Sequence, residues 1–517
     1  QAAFPEVFEQ GGFDVVIGNP PYVRQEWLTP FKPHWEASFK TYDGVADIFT
    51  YFFEQGLSVL RDRGRLAYIT SGSWVRGNYG SALRKHLIEA TAIESIIDFG
   101  EFQPFADAEM IRPSITICQK GGSKSRMRLF KWLVAGRPPE NLSEIVAAAP
   151  TMRTDHLGED AWELEPDDVI ALRKKLTEGG RTLKEYANGR ILRGVVSGLT
   201  DVFVIDAVRR AQLIAEDPKS AELIKPFLQG THLRPWYSED SGEFLIFTRR
   251  GTHIEDYPAI LSYLKTFRER LEPKPAEWPS GKKWPGRKPG SYKWFEIQDS
   301  VDYWRGFEEP KICWSDISKL PRFSMDFGLS YLGNTGYIVP GEDFYLLGVL
   351  SSWATWFFIS KTAQPLRLRG DRWQYRLFAQ YMEHVPIPNA SPAERLAIES
   401  LARKASAVAA ERYRYQVNVR NRLQKSFGEA VDSQPRGPMN EKAQGWWGHA
   451  PAALGAALKA SFRLPTNPML NPRTADEWEP YLAEKRAEVE RLTRELADAE
   501  AEINDRVFSL FNLTADD

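Results

Sequence analysis

The chain has 517 residues, a formal net charge of −2, 43% hydrophobic residues and 26% charged residues. This length predicts two to four domains, and the near-neutral charge does not exclude a nucleic-acid partner, because local basic patches decide such binding. The only cysteines, Cys118 and Cys313, are far apart, so we expect a reducing cytoplasm, no disulfide framework and no metal site. The most apolar stretch, residues 345–359, is short for a membrane span and predicts a buried helix.

Apolar runs alternate with segments of helical periodicity over the first 135 residues. The run at residues 13–17 is closed by Gly18 and is typical of a buried parallel strand. The predicted strands and helices alternate, which indicates a doubly wound parallel sheet of the α/β class. The strands are predicted at 13–17, 65–70, 93–99 and 114–118, and the helices at 47–60 and 79–90.

Three further regions follow this alternating part. Residues 141–180 predict a connector with helical content, and residues 181–392 predict an irregular α+β domain rich in Gly, Pro, Trp and Tyr. Residues 393–517 predict a helical region, with amphipathic helices at 393–425 and 477–511 that could pair with each other. The alternating strands and helices therefore belong to a first region that comprises residues 1–140.

The first predicted strand is followed directly by Asn19-Pro20-Pro21-Tyr22. Open α/β sheets bind their ligands at the carboxyl ends of their strands, so this motif lies where a site is expected. The alternative is structural: a proline-rich turn after a strand, with the asparagine as its cap.

These four residues suit the activation of an exocyclic amino group on a base. Such a nitrogen is a poor nucleophile because its lone pair is delocalised into the ring. The side-chain oxygen of Asn19 and the carbonyl oxygen of Pro20 can accept its two hydrogens and free the lone pair, and the fixed φ of the two prolines holds that carbonyl in place. Tyr22 offers an aromatic face to a base taken out of the duplex, a contact that contributes about 1–3 kcal/mol.

Residues 13–23, with the sequence Phe-Asp-Val-Val-Ile-Gly-Asn-Pro-Pro-Tyr-Val, resemble the catalytic motif of the amino-methylating DNA methyltransferases. They are especially similar to adenine-N6 enzymes of the TaqI-like and type IIG restriction–modification group. In that family, the residues at Asn19, Pro20, Pro21 and Tyr22 hold the target adenine. Downstream segments resemble the family in the same order, at residues 47–53, 64–71, 96–100 and 192–205.

The resemblance also implies a second aromatic residue on the far face of the flipped base. Phe105 is placed like that residue and Phe102 is the alternative, while either side chain could instead be part of the core. The implied fold is a partial Rossmann-like (class I) methyltransferase sheet, then an α+β TaqI-like specificity domain and a helical C-terminal region. The implied activity is site-specific adenine-N6 methylation of double-stranded DNA with S-adenosyl-L-methionine, in a restriction–modification or related defence system.

The sequence departs from the family at the cofactor loop. The family binds S-adenosylmethionine through an Asp/Asn-Pro-x-x-Gly-x-Gly-type loop before the catalytic motif, which here begins at residue 19. Residues 98–101, Asp-Phe-Gly-Glu, lack the glycine spacing of that loop. We therefore expect the cofactor-binding residues upstream of residue 1, in the same polypeptide or in a separate subunit, and expect this chain alone to be inactive. The strand at 13–17 is then expected to be an exposed apolar edge.

Two basic segments are candidates for DNA contact. The first surrounds Trp284 and suits phosphate binding, and the second carries arginines that suit the reading of guanine. For both segments the alternative is solvated surface charge. The first comprises Lys282, Lys283, Arg287 and Lys288, and the second comprises Arg367, Arg369 and Arg372.

Functions other than adenine-N6 methylation of DNA are also compatible with the sequence. Motifs related to Asn-Pro-Pro-Tyr also serve the methylation of cytosine-N4, of RNA and of a glutamine side chain, and the large specificity region favours DNA among these. A non-catalytic DNA-recognition subunit is the alternative from a different class, because the sequence lacks the cofactor half.

Overall fold

The computed structural model describes residues 3–21, 23, 25–100, 102, 112–132, 141–279, 281–370, 372–428 and 437–514. The chain divides into two compact units. The first unit comprises residues 1–175 with the short segment 367–373, and the second comprises residues 176–366 with 374–516.

A six-stranded mixed sheet forms the centre of the first unit, in the order β1-β2-β4-β3-β5-β6. Strand β1 pairs parallel with β2, and β3 pairs parallel with β5. The carboxyl ends of these four strands share one edge of the sheet, because β2 and β3 are both antiparallel to β4. The strands are β1 (Phe13–Gly18), β2 (Leu60–Ser71), β3 (Thr91–Asp98), β4 (Pro113–Lys120), β5 (Arg126–Lys131) and β6 (Thr151–Arg153).

The prediction of a parallel sheet is wrong for β4, which runs antiparallel to both of its neighbours. No helix is predicted between the third and fourth strands, and successive strands without a crossover helix pair antiparallel. The α/β class and the four predicted strands are confirmed. Helices pack around this sheet as α1 (Pro5–Glu9), α2 (Gln25–Leu28), α3 (Lys32–Ser38), α4 (Phe49–Val59), α5 (Ser81–Ala90), α6 (Leu142–Ala147) and α7 (Asp167–Glu178).

The region predicted as a connector contributes to the core of the first unit. Strand β6 extends the sheet through its pairing with β5, and Met152 is fully buried. Trp162 and Leu164 are also buried in the same apolar cluster as the sheet residues. This unit therefore runs to residue 175, beyond the predicted boundary at residue 140, because the last strand completes its core.

Strand β1 is the outermost strand on its side of the sheet. Val15 and Ile17, two residues apart on one face, are 51% and 78% exposed. Trp27 and Phe31, just after the motif, are 73% and 56% exposed. This strand is therefore the exposed apolar edge that the sequence predicts.

Residues 180–388 form four smaller sheets, in the orders β15-β10-β11-β9, β14-β12-β16-β8, β13-β18-β17 and β19-β7. Their short strands and intervening loops agree with the predicted irregular α+β region. The strands are β7 (Gly180–Thr182), β8 (Leu192–Arg193), β9 (Val204–Asp206), β10 (Ile224–Leu228), β11 (Glu243–Ile246), β12 (Lys311–Ser315), β13 (Ile317–Ser318), β14 (Phe323–Asp326), β15 (Tyr331–Leu332), β16 (Gly336–Pro340), β17 (Pro365–Arg369), β18 (Arg372–Arg376) and β19 (Pro386–Pro388).

Helices of the second unit surround these sheets and form its C-terminal part. The single helix predicted at residues 345–359 is two buried helices, because the Ser352 side chain accepts from the Thr355 amide and begins a new helix. The helices are α8 (Leu183–Tyr186), α9 (Thr200–Phe203), α10 (Ala207–Glu216), α11 (Pro258–Lys265), α12 (Arg268–Leu271), α13 (Phe344–Ser351), α14 (Trp353–Thr362), α15 (Ala379–Met382), α16 (Pro392–Leu423), α17 (Glu441–Gln444), α18 (Pro451–Phe462) and α19 (Pro472–Leu510).

The predicted pairing of the two long helices is confirmed, since α16 packs along α19. Small residues on α16 face large apolar residues on α19, which lets the two backbones approach. The cluster includes Ala402, Ala405 and Ala409 of α16 with Leu492, Leu496, Ala499 and Ile503 of α19. No helix in the described part of the chain is long and apolar enough to cross a membrane.

We expect Leu492→Ala to lower the free energy of unfolding by about 2–5 kcal/mol, because it leaves a cavity between α16 and α19. Asp498 lies on the exposed side of the same helix, so Asp498→Ala should change stability by no more than about 0.5 kcal/mol. Denaturant unfolding of the two variants measures the difference, and equal midpoints would show that the two helices do not depend on this contact.

Candidate functional site

The Asn-Pro-Pro-Tyr motif begins directly after β1, at the carboxyl edge of the first unit's sheet. Asn19 and Pro21 are exposed and Pro20 is buried. The buried proline anchors the turn, while the exposed asparagine amide is open to a ligand. Tyr22, the fourth residue of the motif, lies outside the described residues.

The backbone just before Asn19 is fixed by an aromatic ring on the neighbouring strand. Gly18 pairs with Tyr68 of β2, and a methyl group at Gly18 would lie 2.9 Å from that ring. A methyl group at Gly56 of α4 would lie 2.5 Å from the Tyr68 hydroxyl. The tyrosine thus fills the space that both glycines leave open, and it sets the position of the strand end that carries the asparagine.

A chain of hydroxyl groups follows β2 at the same edge. The Ser73 hydroxyl lies 2.7 Å from the Ser71 hydroxyl and 2.6 Å from the Tyr79 hydroxyl. Tyr79 also hydrogen-bonds to the Asp47 carboxyl; burial raises the pKa of Asp47, and this bond lowers it. Burial raises the pKa of Tyr79 to about 12, so its hydroxyl keeps its proton and donates at neutral pH.

These hydroxyl contacts tie the segment before α4 to the loop after β2, beside the strand that ends in the motif. Sequence reasoning identified residues 64–71 as part of the family pattern and assigned no role to the serines and the tyrosine beyond them. The fold brings the loop after β2 and the segment before α4 together, and only this contact shows that their hydroxyl groups form one chain.

Phe105, predicted as the second stacking aromatic, lies outside the described residues. The alternative, Phe102, is half-buried, and its ring centroid lies 6.3 Å from that of Phe99. Its amide donates to the Phe99 carbonyl at 3.0 Å. Phe102 therefore has the packing contacts of a core-edge residue.

Lysines of the first basic segment are well placed for contact with a polyanion. Lys282, Lys283 and Lys288 are exposed. The neighbouring indole rings are held in the loop: Trp284 donates to the Glu272 carbonyl at 3.1 Å and lies edge to face against Trp278. The loop thus presents three cationic side chains on a backbone that the packing of two tryptophan rings holds in place.

The prediction that Arg287 contacts DNA is wrong, because this side chain is only 3% exposed. A guanidinium group has five N–H donors, and here all five have backbone carbonyl acceptors. Burial lowers the pKa of Arg287 to about 10, which still leaves it charged at neutral pH. The acceptors are the carbonyls of Leu271, Ser197, Glu296, Lys293 and Trp294, at 2.7 to 3.3 Å.

The second basic segment is a β-hairpin rather than a loop. Strands β17 and β18 flank a turn at Gly370, whose φ of 68° lies in the left-handed region that favours glycine. Arg367, Arg369 and Arg372 are all exposed near the tip of this hairpin.

No group of three or more His, Cys, Asp or Glu side chains suited to a metal occurs among the residues described.

The structure places the exposed Asn19 directly after the first strand of an α/β sheet, where the sequence predicts it. Comparison with known proteins bears on the same question. Residues 1–105 match the family described as Eco57I restriction-modification methylase, and residues 391–507 match a domain of unknown function, DUF8810. The resemblance to restriction–modification methyltransferases is therefore confirmed.

Two curated relatives extend this similarity. The type II methyltransferase M.XhoI of Xanthomonas vasicola is 27% identical over 399 residues, which covers 73% of this chain and 68% of that protein. The type II methyltransferase M.PaeR7I of Pseudomonas aeruginosa is 26% identical over 401 residues, which covers 73% of this chain and 65% of that protein. The chain thus spans about two thirds of the length of these relatives.

One solved structure covers nearly the whole chain. It is the type IIL restriction-modification enzyme MmeI in complex with DNA, with 12% sequence identity and a TM-score of 0.48. The match covers 99% of this chain and 56% of the solved chain, so this chain spans little more than half of it.

We expect Arg287→Ala to lower the free energy of unfolding by about 3 kcal/mol or more, because it leaves several buried carbonyls without donors. Lys288→Ala, at the adjacent exposed position, should have an effect below about 0.5 kcal/mol. Thermal unfolding compares the two variants. A loss of stability in Arg287→Ala as small as that in Lys288→Ala would show that Arg287 is instead a surface cation.

Proposed function

We propose that this protein is the catalytic and DNA-recognition part of a site-specific adenine-N6 DNA methyltransferase of a restriction–modification or related defence system. The observation that carries the proposal is the exposed Asn19 amide at the carboxyl end of β1, on a backbone fixed by Tyr68. The names of the relatives, as restriction–modification methylases and type II methyltransferases, support the same activity.

In this proposal the target adenine leaves the duplex and places its amino group at the motif. The Asn19 side-chain oxygen and the Pro20 carbonyl accept its two hydrogens, which directs the nitrogen lone pair outwards. Tyr22 stacks on one face of the base and Phe105 on the other, as the sequence motif suggests. Flipping costs a few kcal/mol, which base stacking at about 1–3 kcal/mol per contact can offset.

S-adenosylmethionine, when bound, would supply an electrophilic methyl group to this amine. The residues of the chain do not form its binding loop, since no Asp/Asn-Pro-x-x-Gly-x-Gly sequence occurs in it. The exposed Val15 and Ile17 give β1 an apolar face and an open edge, which natural proteins cover. We propose that the polypeptide carrying the cofactor loop packs there, in the same chain or in another.

The exposed cations of residues 181–392 suit the phosphate backbone of DNA. Lys282, Lys283 and Lys288 would neutralise phosphates as point charges, and Arg369 and Arg372 present planar guanidinium groups at the hairpin tip.

The uncovered face of β1 also favours a second candidate function. Without a cofactor-bearing partner, the chain would act as a DNA-recognition subunit.

We expect Asn19→Ala in the full-length protein to lower the methylation rate by about 100-fold or more, because one of the two acceptors for the amino hydrogens is lost. DNA affinity should stay within about twofold, since the residue makes no phosphate contact. Transfer of a tritiated methyl group to duplex DNA measures the rate, and Asn141→Ala, an exposed asparagine of the same unit, is the matched control. Unchanged turnover of the Asn19 variant would refute the proposed role of the motif.

We expect replacement of Lys282, Lys283 and Lys288 by alanine to weaken DNA binding and to reduce its salt dependence. Each phosphate contact contributes about 0.9 to the slope of log K against log salt, so the triple variant should lose about two to three units. Arg369→Ala tests the hairpin in the same way and should lose about one unit. Lys459→Ala, at an exposed site on α18, should leave the slope unchanged. A slope equal to wild type in the triple variant would exclude this loop from the DNA interface.

A further inference from the structure

A cluster of charged side chains in the second unit has no part in the contacts described so far. Arg193 ends β8, Asp316 lies between β12 and β13, and Arg376 ends β18. These residues are far apart in the sequence, and the packing of three short strands brings them together. A fourth group, Asp299, also faces Arg193.

Backbone contacts fix the position of each member. Arg193 is paired with Tyr337 of β16, and its carbonyl accepts from the Tyr303 hydroxyl at 3.0 Å. Asp316 donates its amide to the Thr335 carbonyl at 2.9 Å and accepts from the Leu377 amide at 2.8 Å. The cluster therefore stands on a rigid scaffold, as a site that reads geometry requires.

Arg376 is held next to this aspartate by the strand pairing. It is the partner of Ile317, the residue that follows Asp316. Its guanidinium lies 5.5 Å from the centre of the Phe378 ring, which limits its movement.

The close approach of β8 to its neighbours depends on Gly194, directly after the arginine. A methyl group at this position would lie 1.9 Å from the Gly333 carbonyl oxygen, so no other residue fits without a shift of the backbone. The glycine amide also donates to the Gly336 carbonyl at 2.9 Å. The glycine thus fixes the backbone directly after Arg193.

The charges of the cluster are only partly satisfied within the protein. The Arg193 side chain is exposed, and Asp316 and Asp299 are half-buried. Burial raises the pKa of Asp316, and the nearby Arg193 and Arg376 lower it. The Arg193 side chain is in none of the ion pairs or hydrogen bonds of the residues that the structure describes, whereas the Asp316 carboxylate accepts from the backbone amides of Asp316 and Ile317. The Arg193 donors and the remaining lone pairs of the Asp316 carboxylate are therefore available to a ligand.

The balance of charge decides which part of DNA this cluster suits. Two arginines and two aspartates sum to zero, and carboxylates beside the cations would repel a phosphate group. Base edges are neutral and present donors and acceptors side by side. Arginine pairs with O6 and N7 of guanine, and aspartate accepts from N4 of cytosine.

On the basis of the proposed function, we propose that Arg193 and Asp316 read one G·C base pair of the recognition sequence through the major groove. Arg193 donates to the guanine and Asp316 accepts from the cytosine. Arg376, held beside Asp316 by the strand pairing, is a positioning residue whose positive charge favours the ionised carboxylate. The lysines at 282, 283 and 288 bind phosphate and carry no sequence information, so the two sets of residues divide affinity from specificity.

A binding selection from a random duplex library tests this assignment with the full-length protein. Wild type, Arg193→Ala, Arg193→Lys and Asp316→Asn each select DNA, which is then sequenced; Lys283→Ala is the matched control. We expect wild type to enrich one motif, and the Arg193 and Asp316 variants to lose about 5- to 150-fold preference at one G·C position while the other positions stay. The control should keep the whole motif and bind all sequences more weakly.

The remaining outcomes separate this inference from the proposed function. If wild type enriches no sequence, the proposed function itself fails. If wild type enriches a motif that Arg193→Lys and Asp316→Asn retain at full strength, the base-reading role is overturned and the proposed function stands. A uniform loss of affinity with a smaller salt slope in Arg193→Lys would also overturn it, since that is the behaviour of a phosphate contact. Arg193→Lys keeps the charge and most of the volume, so it serves if the alanine variant unfolds.

Discussion

The packing of one tyrosine of β2 against a neighbouring strand and a helix determines where the Asn-Pro-Pro-Tyr motif lies. Tyr68 occupies the space opened by Gly18 and Gly56, and this contact sets the register between β1 and β2 at their carboxyl ends. The turn with Asn19 starts at the next residue. A rigid strand end matters because an acceptor must meet an amino group within hydrogen-bond distance, and a displacement of about 1 Å at a reacting centre can cost about 100-fold in rate.

Charge is used in different ways in the two parts of the proposed DNA interface. The lysine loop presents exposed cations alone, which suits phosphate and gives salt-dependent affinity. The cluster at Arg193 and Asp316 is neutral overall and rigid, which suits the mixed donors and acceptors of a base pair. Arg287 belongs to neither set. Its five N–H groups donate to five backbone carbonyls, and these hydrogen bonds stabilise the loop that carries the lysines.

The open edge at β1 links the architecture to the chemistry. Val15 and Ile17 are apolar and exposed, and the strand has a free edge beside the residue proposed to grip the substrate. A polypeptide that covered this face would exclude water from the site at the same time.

Local pattern in the sequence determined four strands and two helices of the first unit, the two long helices α16 and α19 and the candidate asparagine. These features depend on the periodicity of apolar residues and on a motif of adjacent residues, which neighbours in sequence fully define. Only the tertiary structure decided the direction of β4, the burial of Arg287 and the meeting of Arg193, Asp316 and Arg376. Each of these depends on contacts between segments far apart in the chain, and no local pattern distinguishes a buried arginine from an exposed lysine one residue away.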